Sequence, residues 1–465
     1  MPAAPARQVA AALLLAVEER GAHVGAWMQG AAARRCAARD RALALELGLG
    51  VLRHRSELDF LAEVAARRPI KGLAPVARTA LRLGIYQLRY LDRVPAVAAV
   101  HESVELAKAA GGRAAGFVNA VLRRAAAAAP QTLEALLARE PDPIRRRDIR
   151  LSHPGWLLDR WQRRWGEAAA EAIAIHDNET PIPALRPSAP GTLGSQLWED
   201  LAAAGIVLEP GRLLRAARRV TAGDIFHASP LPTGAVAIQD EASQMIPYLL
   251  TPEDAARVLD LCAAPGGKAA ILAALAASSR LVAVDRSPRR AAGLRARLPA
   301  AASVVVADAE RPLPFPGGGW DRILVDPPCS GTGTLQRNPE IRWRLQPDDL
   351  ARFALRQRRI LEQALAVLAP GGRLVYSVCS IEPEEGEQIV RAVLAAQPGL
   401  QLLPVAAVLE KIEAAGQLVA GTAARLSSSG PFLEILPGSF ATEGFFAAIL
   451  TRPGVAARPG SSSAP

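Results

Sequence analysis

The sequence predicts an all-α N-terminal bundle and an α/β Rossmann-like domain, joined by a small α+β subdomain. Three observations carry this. From Arg7 to about Ala129, Ala, Leu and Arg recur at three- and four-residue spacing with almost no strand-like run. From Arg257 onward, short apolar runs alternate with helical stretches, the pattern of a mostly parallel sheet with helices on both faces. Charge divides along the same line: residues 1–150 hold 24 Lys+Arg against 14 Asp+Glu, a net of +10, whereas 151–465 hold 31 of each. The expected domains are 1–135, a basic helical bundle; 136–235, a linker and small α+β subdomain; 236–452, the α/β domain; and 453–465, a Ser-, Pro- and Gly-rich tail read as disordered.

With 465 residues the chain can bury two or three full cores. Its excess positive charge sits in the first third, which points to a polyanionic partner, nucleic acid first. The four cysteines (Cys36, Cys262, Cys329, Cys379) form no CxxC pair and the six histidines show no ligand spacing with them, so no metal is expected. No charged-then-apolar leader opens the sequence, and no apolar run approaches the ~20 residues that a membrane span needs. The expectation is a cytoplasmic protein with reduced thiols.

Within the bundle, Pro95 starts a helix whose apolar stripe runs from Val97 to Lys108, Gly111-Gly112 closes it, and Phe117–Arg124 opens another with Asn119 as a packing or capping residue. Leu133–Trp165 reads as a bridge broken by Pro141 and Pro143, with a short helix through Trp161 and with His153 in a capping or packing role. Residues 181–230 mix short strands with a helix near Gln196–Ala204.

In the rear domain each strand ends on a chemically useful residue. Val258–Leu261 runs into Cys262-Ala263-Ala264-Pro265-Gly266-Gly267-Lys268 and a helix; Leu281–Val284 ends at Asp285; Val304–Val306 precedes Asp308; Ile323–Val325 ends at Asp326. Pro327 and Pro328 then stop the strand and hold Asp326 and Cys329 at its carboxyl end, where open α/β sheets place ligands. Arg373–Cys379 forms a fifth strand after helix 348–368, and Phe445–Leu450 is expected at the sheet edge. Gly266-Gly267 lets backbone N–H groups approach a ligand, and Asp285, 19 residues beyond Gly266, suits ribose hydroxyls. There is no GxGxxG and no GxxxxGK[ST], so a mononucleoside such as S-adenosylmethionine is favoured over a dinucleotide or ATP.

Together, Asp260-Leu-Cys-Ala-Ala-Pro-Gly-Gly-Lys268, Asp-Pro-Pro-Cys329-Ser-Gly-Thr-Gly and Tyr376-Ser-Val-Cys379-Ser resemble the RNA cytosine-5 methyltransferases of the RsmB/Nop (Fmu/Sun) family. The helical front, with Val94-Pro95-Ala96 and Phe117-Val118-Asn119-Ala120-Val121-Leu122-Arg123, looks like the NusB-type domain of the branch that modifies 16S ribosomal RNA. Ala269 and Val378 stand where Thr is common in the family, and neither change removes a reacting group. The resemblance implies methyl transfer from S-adenosylmethionine to C5 of one cytosine. Cys379 would be the C6 nucleophile, Cys329 the thiol that assists release, and Asp326 the group that binds the base edge. It implies a cofactor site made of Cys262, Ala263, Ala264, Pro265, Gly266, Gly267, Lys268, Asp285, Asp308 and Asp326. The expected partner is 16S rRNA or a small-subunit assembly intermediate, met by a monomer and without a membrane.

Two rivals stay open. An inert RNA-binding scaffold has no need of two thiols, and an amino-methyltransferase usually carries Asp/Asn-Pro-Pro-Tyr. Seven arginines face three acids between Arg337 and Arg359, with Trp343 among them, and read as contacts for single-stranded or extruded RNA.

Overall fold

The computed structural model describes residues 5–109, 111–112, 114–127, 132–188, 194–225, 236–428 and 430–454. The tail expected to be disordered, 455–465, lies outside them, as does 226–235 of the expected linker region. The chain forms two units: residues 1–180 with 335–345, and residues 181–334 with 346–465.

The first unit is helical. Helices Pro5–Arg20, Ala38–Arg53, Arg55–Ala66, Ala96–Ala109 and Ala115–Ala127 pack with Pro75–Tyr90, which is buried on every side from Thr79 to Gln87; Leu13, Leu47, Leu58, Leu81, Leu83 and Leu122 are fully enclosed. Gly50 permits a close crossing, since a Cβ there would lie 2.0 Å from the Tyr86 ring. Pro95 acts as expected, its carbonyl accepting from Ala99 N at 3.0 Å. Asn119 accepts from Arg123 Nε one turn on, at 3.1 Å.

The bridge is more ordered than its prolines suggested. Residues Leu133–Leu137, Pro143–Leu151, Gly155–Trp165 and Glu167–Asn178 are helices of this same unit. Pro143 starts a helix instead of breaking one, because it takes the first helical position behind Asp142, whose carboxylate caps Ile144 N at 2.9 Å. His153 is enclosed, with Nδ1 2.6 Å from Leu151 O and Nε2 3.4 Å from Asp177.

The second unit opens with a four-stranded antiparallel sheet of β1 (Ala184–Pro187), β2 (Val207–Pro210), β3 (Arg218–Ala222) and β4 (Val236–Ile238), in the order β2-β3-β1-β4. Helix Gly194–Ala203 covers it through Leu201 and Trp198. Then come β5 (Arg257–Leu261), β6 (Arg280–Asp285), β7 (Ser303–Val306), β8 (Trp320–Val325), β9 (Leu368–Val378), β10 (Gln401–Leu403), β11 (Leu433–Ile435) and β12 (Phe445–Thr451). They form one sheet, β10-β12-β9-β8-β5-β6-β7, with β11 also paired to β12. Strands β5 to β9 are parallel neighbours and β10 to β12 pair antiparallel. Phe445–Thr451 is therefore interior and not the edge strand expected; its Phe445–Leu450 side chains are all buried, as a strand covered on both faces requires. Strand order reverses at β5, whose neighbours are β6 and β8, so the loops after β5 and β8 flank the switch point where such sheets bind ligands.

Candidate active site

Strand β5 ends at Leu261, and the chain turns sharply through Cys262 (φ +62°) and Gly266 (φ +105°) into helix Gly267–Leu275. Gly266 is required by that left-handed φ; Gly267 is required by space, since a Cβ would lie 2.9 Å from Gln239 Oε1. Arg297 donates to Pro265 O at 2.8 Å and Arg290 to Ala264 O, holding the loop. A cavity of about 620 Å³ opens on Asp260, the Cys262–Lys268 loop and Asp326. One wall belongs to the antiparallel subdomain, through Arg186 of β1 and Val236 of β4, with Gln239 just after β4.

Lys268 and Asp326 meet across this cavity. Lys268 Nζ donates to Asp326 Oδ2 at 2.7 Å, and the other carboxylate oxygen accepts from Ser377 Oγ at 3.1 Å. Burial alone would pull the Lys268 ammonium down; the Asp326 carboxylate outweighs it, with Cys379 and Asp260 adding to the hold, and keeps the amine charged. The ammonium also lies 5.0 Å from the Phe445 ring centroid. Asp260, 1 % exposed, has no hydrogen bond to either oxygen among the described residues. Burial and the nearby Asp326 charge push its carboxyl well up, against the pull of Lys268. Burial first, then Asp326, Asp285 and Asp260, pushes the Cys262 thiol up to about 12; it is a packing residue of the loop and not a thiolate.

Cys329 and Cys379 come together, with Sγ atoms 3.3 Å apart. The hydrogen bond to Cys379 and burial, reinforced by the charges of Cys379, Glu385 and Asp326, hold the Cys329 thiol well above its ordinary value. Cys329 therefore keeps its proton and can donate it to the Cys379 sulfur.

Asp285 sits at the end of β6 with Oδ1 accepting from Ser287 N at 2.9 Å and Oδ2 3.4 Å from Arg290. Asp308 accepts from Glu310 N at 3.1 Å, so its carboxylate closes its own turn. Neither lines the cavity. Two residues that sequence reasoning missed are Arg186 and Gln239. Arg186 donates to Gln239 Oε1 at 2.9 Å and to Gly267 O at 3.1 Å, tying the subdomain to the glycine loop. Their only sequence signal was a lone arginine in a short strand.

Two members of the arginine-rich stretch depart from the expectation of RNA contact. Arg342 is completely buried in the helical unit, donating to Asn178 Oδ1 at 2.6 Å, Asp177 O at 3.0 Å and Ser152 O at 3.1 Å. Trp343 donates its indole N–H to Leu52 O at 2.7 Å and carries Arg55 over its ring, so it is not a platform for a base. Arg352, Arg356 and Arg358 are paired to Asp349, Glu310 and Glu362.

A Rossmann-like sheet with a glycine loop and strand-end carboxylates defines the fold of a nucleoside-dependent methyltransferase, and known proteins agree. Residues 247–451 match the 16S rRNA methyltransferase RsmB/F family, residues 4–127 the NusB family, and residues 153–223 the ferredoxin-like domain of RsmF/B-like methyltransferases. The probable ribosomal RNA small subunit methyltransferase B of Bacillus subtilis is 32% identical, over 89% of this chain and 91% of its own. Its counterpart in Vibrio cholerae is 34% identical, over 89% and 90%. Among solved structures, PH0851 superposes with a TM-score of 0.74 at 21% identity over 97% of this chain and all of its own. A methyltransferase homolog from Pyrococcus horikoshii gives 0.53 at 27% identity, over 67% and 99%. This chain belongs to the ribosomal RNA small subunit methyltransferase B family.

S-adenosylmethionine, the methyl donor that such a family implies, fits the residues present. The glycine loop is a cradle that a Cβ at Gly267 would fill, and Asp260 offers two unpartnered oxygens beside it. Among the described residues no cluster of His, Cys, Asp and Glu is grouped to hold a metal, and no helix is long and apolar enough to cross a membrane.

Proposed function

We propose that this chain methylates C5 of a specific cytosine in 16S rRNA, through a covalent bond between Cys379 and C6 of the base. The observation that carries this is the contact of two thiols beside the Lys268–Asp326 pair. Cytosine C5 is a weak nucleophile until a thiolate adds to C6; that addition places electron density on C5. S-adenosylmethionine supplies an electrophilic methyl group when bound along the Cys262–Lys268 loop, with Asp285 toward its ribose.

Each residue then has a task. Cys379 forms the C6–S bond, with the Lys268 ammonium within electrostatic reach of its sulfur. Asp326, oriented by Lys268 and Ser377, accepts from the polar edge of the base. Once C5 carries its methyl group, the C5 proton passes to water, the electrons of that C–H bond re-form the C5–C6 double bond, and the C6–S bond breaks with its electron pair returning to the Cys379 sulfur. Cys329, 3.3 Å from the departing sulfur, assists that release. The basic helical front, net +10 over residues 1–150, supplies affinity for the RNA backbone. The reading places the protein in the cytoplasm, as a monomer acting on free 16S rRNA or a small-subunit assembly intermediate.

Product analysis tests this. Labelled methyl transfer to 16S rRNA, followed by nuclease digestion and mass spectrometry, should give 5-methylcytidine. Methyl groups on adenine N6 or on protein would replace the reading with that of an amino-methyltransferase; no transfer would leave an RNA-binding scaffold.

A further inference from the structure

Behind the two thiols lies a carboxylate that the reaction does not use. Glu385 is fully buried. Its Oε1 accepts from Ser330 N at 2.8 Å and from Gln357 Nε2 at 2.8 Å; its Oε2 accepts from Ser380 Oγ at 2.6 Å and from Ser330 Oγ. Its backbone carbonyl accepts from Tyr376 OH at 2.6 Å. Ser330 follows Cys329 directly, and Ser380 follows Cys379 directly.

Enclosing a carboxylate is costly unless its lone pairs are filled, and here neutral donors from two loops and from Gln357 on helix Pro347–Val367 fill them. Such a group converges what binds it, because each loop satisfies the charge only in one position. Further bonds reinforce the same register: Gly333 N donates to Cys379 O at 3.0 Å, Ile381 N to Thr332 Oγ1 at 3.2 Å, and Gln357 Nε2 to Pro328 O at 3.0 Å. The negative charge of Glu385 also helps keep the Cys329 thiol protonated, after the Cys379 hydrogen bond, burial and the charge of Cys379.

We propose that Glu385 is the positioning residue of the thiol pair, clasping the residues after Cys329 and Cys379 so that the two sulfurs stay in contact. Its consequence for turnover rests on the function proposed above. The clasp itself does not.

The test uses the full-length protein and reads proximity without RNA. Diamide takes two electrons and two protons from a pair of neighbouring thiols, leaving a disulfide and the reduced hydrazine; peptide mapping then times formation of the Cys329–Cys379 bridge. Glu385→Ala should slow it at least about tenfold, since effective concentration falls steeply once two groups are no longer held together. Glu385→Gln should stay within about threefold of wild type, because its amide oxygen can still accept while serine hydroxyls turn to accept from its NH2. Ser330→Ala combined with Ser380→Ala should also slow the bridge while thermal unfolding and S-adenosylmethionine binding report an intact domain; it decides the matter if Glu385→Ala fails to fold. Wild-type bridging rates in Glu385→Ala, or in the double serine variant should the first not fold, would overturn the proposal. So would Glu385→Gln behaving like Ala. Wild-type protein that bridges its thiols through this clasp yet makes no 5-methylcytidine would instead refute the proposed function and leave the clasp standing.

Discussion

Cys329 and Cys379, fifty residues apart in the sequence, bring their sulfurs to 3.3 Å from the ends of two adjacent parallel strands, β8 and β9. Parallel neighbours deliver their carboxyl ends to the same side of a sheet, so loops that begin in register converge. The thiol contact is thus a result of topology as much as of local motif, and the buried polar network behind it sets its register.

The Lys268–Asp326 pair should be sensitive to loss of either partner. Asp326→Asn leaves an ammonium in a mostly enclosed site without its counter-charge, and should lower stability by about 2–3 kcal/mol, moderated by Asp326 being 28% exposed. On the function proposed above, methyl transfer should fall by about 100-fold or more, since Asp326 is there the group that accepts from the base edge. Urea denaturation and single-turnover methylation measure the two effects separately.

Cofactor affinity should distinguish the two strand-end acids. Asp285→Asn should weaken S-adenosylmethionine binding by about tenfold or more, a loss of about 1.4 kcal/mol. Asp308 follows β7, the last strand of the sheet and one strand further than β6 from the β5–β8 switch point, so Asp308→Asn should change binding by less than about threefold. Isothermal titration calorimetry on the full chain reads both.

In the helical unit, Asp177 should make stability depend on pH. Burial raises its carboxyl from 3.8 to about 7, against the pull of Arg342 and His176. Nδ1–H of His153 donates to Leu151 O, which leaves the Nε2 lone pair toward Asp177 and favours a protonated acid there. Between pH ~4 and ~7 the folded state holds a proton that the unfolded state has released, so this contribution is full below pH ~4 and is lost as pH rises through about 7. Asp177→Asn removes the effect: relative to wild type the variant should gain up to about 1.4 kcal/mol per pH unit across that window. Urea unfolding at stepped pH checks it; a difference that stays flat would contradict it.

Much of this was legible in the sequence, and what was not has physical causes. The glycine loop, the strand-end acids and both thiols are local patterns, and turn chemistry at strand ends reads without tertiary information. Arg342 and Trp343 misled, because an arginine-rich stretch reads as surface until its partners are known; those partners, Asn178, Asp177, Ser152 and Leu52, lie more than 150 residues away. Glu385 was equally hidden among acids that look solvated. Phe445–Leu450 reads as a strand, but its interior place follows from β10 and β11, each only three residues long.

RNA affinity should be electrostatic and come from exposed side chains, not from Arg342. Arg34, Arg35 and Arg39 are exposed. Replacing all three with serine should weaken rRNA binding and reduce the slope of log K against log salt by about 2 to 3, near one per lost phosphate contact. S-adenosylmethionine binding should be unchanged. A fluorescence-anisotropy titration from low to moderate salt measures the slope. Deleting residues 1–130 would be a poorer test, since Arg53 and Leu52, which hold residues 336 and 343, would go with them.

The most direct measurement of the central claim separates the two thiols by the step at which each fails. Labelled 16S rRNA is incubated with S-adenosylmethionine and either variant, then run on a denaturing gel. Cys379→Ala cannot form the C6–S bond and should show neither a retarded protein–RNA band nor methylation. Cys329→Ala should attack and transfer the methyl group, then stall, giving a retarded band. The reverse pattern would make Cys329 the nucleophile, and the absence of any adduct, including with wild type on 5-fluorocytidine RNA, would contradict covalent catalysis by this pair.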